Sequence, residues 1–444
     1  MSIATAQDTG RRERWAWYLY DFGNSAYAAV VLLAVYSAYF QGQVVGGAQG
    51  SRLWGIAVGI AMLFVAITAP VLGTIADFSG AKKRFLLFYT TLCVIFCALL
   101  FFVGEGDWKL GMLFFILAEI GYRSSQVFYN ALLPEIATQE EMAKVSGNGW
   151  AVGSLGGIIC LTIVLIPIVL TQSNPLVVRL SLVFTAVFFI ASALPSFLWI
   201  RERAQPQALP PGETYLSIAF QRLGRTFRTV RSFREFLKFM IAFLIYNDGI
   251  LMVLDFGAIL GAVLFGMKQQ ELIIFMIIVQ VTSVVGAYLF GLLASDFGGK
   301  RSLLVSLLLM IVPVIWLYFT RSRLAFYFIG GLAGFALTGV QSVSRTMVGT
   351  FSPPGHSAEF YGFFAVAGRT SSFIGPTIFG LLAAWATERY RALGLGELLA
   401  EQSGHRVALF SIVAFLVVGL VLLLLVNEQQ ARAAAAGQSE QVPA

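Results

Sequence analysis

Six charged side chains interrupt long apolar stretches of the sequence, where a charge usually faces a cavity or a partner group. The six are Asp21, Glu119, Arg123, Asp248, Asp255 and Arg369. Surroundings of low dielectric disfavour the charged form of a carboxylate, so a buried one can exchange a proton near neutral pH. We therefore predict Asp21, Glu119 and Asp248 as proton-coupling residues and rank Asp255 below them.

These groups have alternative roles that differ in function. Glu119 and Arg123 are four residues apart and share one face of a helix. They either neutralise each other as a structural pair, or Arg123 binds an anionic group while Glu119 moves a proton. Asp248 either exchanges a proton or forms an ion pair with Arg369. For Asp21, the alternative is a hydrogen bond that holds its helix against a neighbour.

Uncharged polar side chains accompany the charges. The predicted substrate-binding residues are Asn24, Arg123, Tyr129, Asn130, Tyr246, Asn247, Gln341 and Arg369. Each polar residue alone is typical of packing or of a contact between helices. Together they favour a polar cavity for a zwitterionic or amphiphilic solute.

The composition indicates what surrounds these residues. Of 444 residues, 58% are hydrophobic and 12% charged, whereas a soluble globular protein carries about 25% charged residues. Stretches of roughly 20 apolar residues can span a membrane. They begin near Trp15, Arg52, Arg84, Trp108, Asn148, Val178, Lys238, Glu271, Ser302, Leu324, Glu359 and His405. The predicted fold class is an all-α polytopic membrane protein of twelve transmembrane helices, in pseudo-symmetric six-helix bundles at 15–200 and 238–427.

The two bundles are joined by a basic linker at 201–237 and flanked by tails at 1–14 and 428–444. In the linker, arginine recurs at 222, 225, 228, 231 and 234. This spacing is typical of an amphipathic helix on a membrane surface, with a solvated connector as the alternative. Lys and Arg concentrate in the N-terminal tail, the linker and the turns at 82–84 and 300–301. The positive-inside rule therefore places both termini in the cytoplasm, and we predict a plasma membrane of the bacterial inner type.

An internal repeat relates the two bundles. The turn after the second span reads GTIADFSGAKKR (73–84), and the turn after the eighth reads GLLASDFGGKR (291–301). Each turn contains an aspartate, a glycine three residues later, and basic residues. Matching motifs at matching positions are typical of a duplicated transporter.

The first of these turns resembles the loop signature of the major facilitator superfamily. The resemblance rests on Gly73, Asp77, Gly80, Lys82 and Arg84. In that superfamily the loop holds helices together on the cytoplasmic side in one conformer, which implies a gating role for these residues. The second copy, with Asp296, is degenerate because Gly291 lies one residue too far from that aspartate.

Longer segments resemble the vacuole-effluxer-like branch of the superfamily, to which the fungal autophagy permease is related. They read WYLYDFGNSAY (17–27), YNALLPEIA (129–137), VSGNGWAVGSLGG (145–157), YNDG (246–249) and PPGHSAEFYGFFAVAGRTSSFIGP (353–376). Arg369 departs from the pattern, since a lysine precedes the Ser-Ser pair in that branch. The resemblance implies the major facilitator fold and export of an amino-acid-like solute.

Other classes of protein lack support in the sequence. The three cysteines lie in apolar stretches and the two histidines are far apart, so we expect no metal site and no cofactor. A phosphate-binding GxxxxGK(S/T) loop does not occur, and the net charge of +7 does not indicate nucleic-acid binding. We expect a monomeric secondary transporter, not an enzyme, whose partners are a small solute, protons and the lipid bilayer. A lipid, amphiphile or drug exporter and a non-transporting receptor or scaffold are the alternatives.

Overall fold

The computed structural model describes residues 3–45, 47–207, 212–221, 233–267, 269–354 and 356–437. Side chains are described for these residues except at 3–9, 47–52, 55, 258, 262, 269–270, 273 and 369–373. Two predictions fall outside this description, namely the role of the Arg369 side chain and the amphipathic helix over the arginines at 222, 225, 228 and 231. Nearly all described residues lie in helices, and none of them lies in a strand.

Six helices form most of the first compact unit, which comprises Met1–Phe227 and Pro354–Ala365. They are α1 (Ile3–Tyr27), α2 (Gly47–Ser79), α3 (Lys82–Leu99), α4 (Trp108–Ala131), α5 (Met142–Leu170) and α6 (Pro175–Trp199). After α1 the chain continues through π-helical segments at Ala28–Ala34 and Phe40–Val45, separated by one α-helical turn at Tyr36–Tyr39. Short helices follow α3 at Leu100–Phe102 and α4 at Leu133–Ile136.

The second compact unit comprises Arg228–Pro353 and Val366–Ala444. Its helices are α7 (Arg234–Phe265), α8 (Gln269–Phe297), α9 (Gly299–Phe319), α10 (Arg323–Phe351), α11 (Ser357–Ala392), α12 (Glu397–Leu424) and α13 (Glu428–Gly437). Helix α11 begins in the first unit and continues in the second.

The two units repeat one packing pattern. In the first unit, α1 packs against α5 and α6, α2 against α4, and α3 against both α4 and α6. In the second unit, α7 packs against α12, α8 against α10, and α9 against both α10 and α12. The repeat predicted from two turns therefore extends to the packing of whole helices within each unit.

Ten helical segments of the described residues are long and apolar enough to cross a membrane. Helices α4 and α11 are of sufficient length, with 24 and 36 residues, but they are more polar. Helix α4 contains Lys109, Glu119 and Arg123, and α11 begins near Glu359 and ends with two arginines. The predicted total of twelve spans stays a prediction for these two helices, and their polarity is what makes them candidates for function.

Local signals account for several helix boundaries. Helix α6 starts after Asn174, whose Oδ1 accepts the N–H of Leu176 at 2.9 Å, and Pro175 occupies the first helical position. Gly80 and Gly298 have φ angles of +57° and +90°, which residues with a Cβ rarely adopt. Each of these two glycines ends one helix and lets the next begin.

Helices α1 and α5 approach closely because glycines on α5 leave room for α1. A Cβ on Gly149 would lie 2.3 Å from the Trp17 ring, and one on Gly156 would lie 2.2 Å from the carbonyl oxygen of Phe22. Both distances are far below van der Waals contact, so a larger residue would have to displace the Trp17 ring at position 149 or the α1 backbone at position 156. The glycine-rich segment at 145–157 therefore has a packing role.

We expect Gly156→Ala to destabilise the protein by about 1–3 kcal/mol, because the new methyl group must displace the α1 backbone. Gly59→Ala is the matched control, since a Cβ on Gly59 meets nothing within 4 Å. Thermal unfolding of the purified variants in detergent measures both effects. Equal melting temperatures for the two variants would contradict the close approach of α1 and α5.

Candidate functional site

A buried ion cluster joins several parts of the first unit; we call it the Lys82 cluster, and it comprises Asp77, Lys82, Glu135 and Ser357. Lys82 Nζ lies 2.6 Å from Glu135 Oε1, 3.2 Å from Asp77 Oδ1 and 2.9 Å from Ser357 Oγ. Only 2% of the Lys82 side chain is exposed. A buried ammonium needs such an environment, because its lost hydration must be replaced by oxygen partners.

Asp77 also caps the N-terminus of α11. Its Oδ2 accepts the backbone N–H of Glu359 at 2.8 Å, in the first turn of that helix. Unpaired N–H groups and the helix dipole both favour a negative charge at this end. Ser357, the first residue of α11, donates its hydroxyl to the carbonyl oxygen of Ala131 at 2.9 Å. The start of α11 is thus held by groups from α2, α3 and α4.

Glycines allow the backbone to approach around the cluster. A Cβ on Gly73 would lie 2.4 Å from the carbonyl oxygen of Ala358, at the start of α11. A Cβ on Gly80 would lie 2.9 Å from the carbonyl oxygen of Ala204, in addition to the positive φ of Gly80. Two of the predicted gating residues, Gly73 and Gly80, therefore act through the backbone, whereas Asp77 and Lys82 act through charge.

Further carboxylates and an arginine surround the Lys82 cluster. Arg203 donates its backbone N–H to Glu135 Oε2 at 2.7 Å and its guanidinium to Glu13 Oε2 at 2.7 Å. The two Glu202 carboxylate oxygens accept the backbone N–H groups of the first two residues of α3, at 2.6 and 3.2 Å. Burial raises the pKa of the Glu202 carboxyl, while these two hydrogen bonds act in the opposite direction.

The corresponding turn of the second unit keeps the helix cap but lacks the buried ammonium. Glu428 accepts the backbone N–H groups of Gly299 and Lys300 at 3.2 and 2.9 Å, as Glu202 does at the start of α3. Gly299 is the first residue of α9, as Lys82 is the first residue of α3. The second turn therefore lacks the lysine side chain on which the cluster of the first turn depends.

The other two predicted gating residues, Arg84 and Asp296, are exposed. Neither side chain forms a hydrogen bond or ion pair with another residue in the described ranges. Asp296 is one residue closer to its left-handed glycine, Gly298, than Asp77 is to Gly80. Since each residue rotates an α-helix by about 100°, this difference turns Asp296 to another side of its helix.

Glu119 and Arg123 are in contact within α4, as their four-residue spacing allows. Arg123 Nε lies 2.5 Å from Glu119 Oε1, and the guanidinium carbon lies 5.2 Å from the centre of the Tyr122 ring. Glu119 is fully buried, whereas 24% of the Arg123 side chain is exposed. The two terminal nitrogens of Arg123 make no hydrogen bond with a described residue, so these donors are available to an anionic group.

The remaining predicted site residues of the first unit have packed surroundings. Asn24 Oδ1 accepts a hydrogen bond at 3.2 Å from a glutamine of α4, and Asp21 lies against a glycine of α5. Tyr129 is buried and stacks on Trp17, with ring centroids 4.4 Å apart. Asn130 is partly buried, and its Oδ1 has no hydrogen-bond partner among the described residues. The structure thus brings Asn24 to α4 but places Tyr129 in an aromatic stack.

In the second unit, two predicted site residues on α7 are linked to α10. The Tyr246 hydroxyl lies 2.7 Å from Ser344 Oγ. Asn247 Oδ1 accepts a hydrogen bond from Gln341 Nε2 at 3.1 Å. Asn247 and Gln341 were both predicted as substrate-binding residues, and the structure brings them together.

Asp248, also on α7, is fully buried. Its Oδ1 accepts the backbone N–H of Gly375 at 2.8 Å, and a Cβ on Gly375 would lie 2.9 Å from this oxygen. Its Oδ2 has no hydrogen-bond partner among the described residues. Glycine at 375 therefore permits one carboxylate oxygen to reach the α11 backbone, while the other is left for a proton or a further partner.

Several members of these sites are not among the residues predicted from the sequence. They are the carboxylates of Glu135, Glu202 and Glu428, the hydroxyl of Ser357 and the backbone N–H of Glu359. Two signals were present: three of these residues lie in the family-specific segments at 129–137 and 353–376, and the other two follow the sixth helix of each repeat. Their partners are distant in sequence, so only the fold shows which charges meet.

Comparison with known proteins identifies the family. Residues 53–436 match the family model described as vacuole effluxer Atg22 like. The MFS-type transporter YxiO of Bacillus subtilis (strain 168) is 29% identical over 425 residues, which cover 93% of this chain and 94% of that protein. Autophagy-related protein 22-1 of Aspergillus niger is 25% identical over 339 residues, covering 72% of this chain and 52% of that protein. The chain therefore belongs to the vacuole effluxer Atg22-like family, and the predicted resemblance is confirmed.

Solved structures confirm the fold. The human organic anion transporter MFSD10 superposes with a TM-score of 0.69 at 16% sequence identity, covering 93% of this chain and 99% of that one. The fold is that of the major facilitator superfamily. The predicted fold class, an all-α polytopic membrane protein, is thereby confirmed, and the chain is an integral membrane protein.

We expect Lys82→Met to destabilise the protein by about 3–5 kcal/mol, because removing one partner leaves buried carboxylates uncompensated. Lys83→Met is the matched control: its ammonium is half-exposed and donates to the carbonyl oxygen of Ile200. That loss should cost only about 0.5–1.5 kcal/mol. Thermal unfolding in detergent provides the comparison. An equal loss of stability in both variants would show that the buried carboxylates do not depend on Lys82 for charge compensation.

Proposed function

We propose that the chain is a secondary active transporter that works by alternating access, is coupled to protons, and exports a small amino-acid-like or zwitterionic solute. The observation that carries this proposal is the buried Asp248 carboxylate within α7, a segment apolar enough to span a membrane. Membership of a family described as vacuole effluxers supports export. The name of the Bacillus subtilis relative supports transport by a carrier of the major facilitator type.

Asp248 is suited to proton coupling because its two oxygens have different environments. Oδ1 is fixed by the Gly375 backbone N–H, whereas Oδ2 is buried without a hydrogen-bond partner among the described residues. A proton on Oδ2 removes the charge that burial penalises. Glu119 has a similar arrangement. Its Oε1 accepts a hydrogen bond from Arg123 Nε, and its Oε2 has no hydrogen-bond partner among the described residues. We propose these two carboxylates, with Asp21, as the groups that take up and release protons.

Arg123 is suited to an anionic group of the solute. Its Nε is engaged by Glu119, and its terminal nitrogens form a planar pair of donors that matches the two oxygens of a carboxylate. The partial exposure of its side chain leaves this pair accessible. We propose Arg123 as the carboxylate-binding residue of the first unit, and the remaining residues as hydrogen-bonding partners of the solute. These are Asn24, Tyr129, Asn130, Tyr246, Asn247, Gln341 and Arg369.

The Lys82 cluster is suited to gating. An alternating-access transporter must form and release contacts between helices during each cycle. A buried ion cluster that includes a helix cap can be closed, with its charges paired, or open, with its charges hydrated. When the start of α11 is in place, Asp77 and Lys82 are satisfied by Glu359 and Ser357. When it departs, water can hydrate the same charges. We propose Gly73, Asp77, Gly80, Lys82, Arg84 and Asp296 as gating residues, with both chain termini in the cytoplasm and the protein in the plasma membrane.

Solute binding is tested by a thermal-shift screen of the purified protein against the twenty amino acids. We expect a stabilising ligand whose effect disappears in Arg123→Ala, because the guanidinium pairs with its carboxylate. Arg179→Ala is the control, since Arg179 is a partly exposed arginine whose Nε donates only to the preceding turn of α6 and whose guanidinium lies over the Phe101 ring. A ligand that stabilises Arg123→Ala as well as the wild type would remove Arg123 from the binding site.

Proton coupling is tested with the same solute in proteoliposomes under an imposed pH gradient. We expect Asp248→Asn to abolish accumulation against a concentration gradient while solute exchange continues, because the amide cannot take up a proton. Asp255→Asn is the matched control on the same helix, where Asp255 is exposed. Wild-type accumulation and pH dependence in Asp248→Asn would show that Asp248 is not the coupling site. Absence of both accumulation and exchange in the wild type would favour a receptor or scaffold.

A further inference from the structure

A cavity in the second unit lies between the turn that joins α8 to α9 and the chain that follows α12; we call it the α9 basic pocket. Its lining includes the cationic residues Lys300, Arg301 and Arg432 and the carboxylate of Glu428. With three cations and one carboxylate, the pocket carries an excess of positive charge. Asp296 precedes the turn but does not line the pocket.

The carboxylate of the pocket is already occupied. Glu428 accepts the backbone N–H groups at the start of α9 and the guanidinium of Arg432 at 2.6 Å. Lys300 Nζ donates to the carbonyl oxygens of Leu424 and Val426 at 2.8 and 2.7 Å. Arg301, by contrast, is exposed, and its guanidinium has no hydrogen-bond or ion-pair partner within the described ranges. Buried Arg432 Nε also lacks a partner there.

The pocket is also lined by apolar side chains. Phe297, Leu424 and Leu425 line it at the ends of α8 and α12, and all three are exposed. Both helices are apolar enough to span a membrane, so their ends lie near a membrane surface. Basic donors beside exposed apolar groups near a membrane surface match a molecule with an anionic head and an apolar tail.

Comparison of the two repeats shows that the second turn lacks a cover that the first one has. In the first unit, Phe78 is 6% exposed, because the chain after α6 passes over its turn. Gln207 donates its backbone N–H to the carbonyl oxygen of Phe78 at 2.9 Å, and the Tyr215 ring lies 6.0 Å from the Phe78 ring. The equivalent Phe297 is 60% exposed. Residues 425–437, the described part of the chain after α12, include α13 and do not cover this ring.

We infer that the α9 basic pocket binds the headgroup of an anionic phospholipid. Arg301 binds the phosphate oxygens through its guanidinium, since this planar group matches a phosphate. Arg432 Nη1 makes no hydrogen bond within the described ranges and supplies a further donor, while Arg432 Nη2 stays on Glu428. The acyl chains lie along Phe297, Leu424 and Leu425, where they supply the apolar cover that Phe78 receives from protein. This site is separate from the residues proposed for solute and protons, so its test does not depend on transport.

The test uses the full-length protein, stripped of lipid in detergent, and native mass spectrometry to measure binding of each added lipid. We expect dioleoyl phosphatidylglycerol to bind at least about tenfold more tightly than dioleoyl phosphatidylcholine, which corresponds to about 1.4 kcal/mol. Arg301→Gln should remove this preference, and Phe297→Gln should weaken binding of both lipids. Arg389→Gln is the matched control, because Arg389 is an exposed arginine in the last turn of α11, outside the α9 basic pocket.

Two outcomes would overturn the inference. The first is an unchanged preference for phosphatidylglycerol in Arg301→Gln, which would place the anionic lipid elsewhere on the protein. The second is displacement of phosphatidylglycerol by equimolar inorganic phosphate or by glycerophosphoglycerol, which has the headgroup without acyl chains. Such displacement would identify a site for a soluble phosphate. Arg301 is exposed, so its variant is expected to fold, and the melting temperature verifies this directly.

Discussion

The Lys82 ammonium lies out of contact with water, and much of the local structure of the first unit follows from that constraint. Two carboxylates and a hydroxyl replace its hydration. Asp77 can serve both Lys82 and the α11 N-terminus only because Gly73 lets α11 approach α2. Glu202 fixes the start of α3, and with it the backbone from which Lys82 extends. Burial makes these contacts depend on one another, because the loss of one partner leaves a charge without compensation.

The two repeats show how one scaffold can keep its supports and change its charge chemistry. Glu202 and Glu428 cap equivalent helices, and Lys83 and Lys300 both donate to carbonyl oxygens at the end of the sixth helix of their repeat. These contacts hold helices together and are present in both units. The residue before each of these lysines differs: Lys82 precedes Lys83, whereas Gly299 precedes Lys300. The first turn thereby gains a buried ion cluster, and the second gains an open basic pocket.

Patterns that depend on near neighbours were predictable from the sequence. Apolar stretches predicted the long helices, with α4 starting at Trp108 as expected. The four-residue spacing of Glu119 and Arg123 allowed the contact that the structure shows. Contacts between distant residues were not predictable. Glu135 is 53 residues from Lys82 and Ser357 is 275, and no periodicity connects such positions. Asp296 illustrates a subtler limit, because one residue fewer in its turn changes the direction of its side chain while the motif still reads correctly.

The sequence distance across the Lys82 cluster has a consequence for biosynthesis. Ribosomes deliver the first six helices to the membrane long before Ser357 and Glu359 exist, and Asp77 is 282 residues from its backbone donor. During that interval, Asp77 Oδ2 and the surface at Gly73 lack the contacts that the start of α11 later provides. Domains are usually completed in order as they emerge, but here the N-terminal unit is finished by a late segment. Maturation of this unit is therefore tied to translation of the eleventh helix, so a chain truncated before that point cannot complete it.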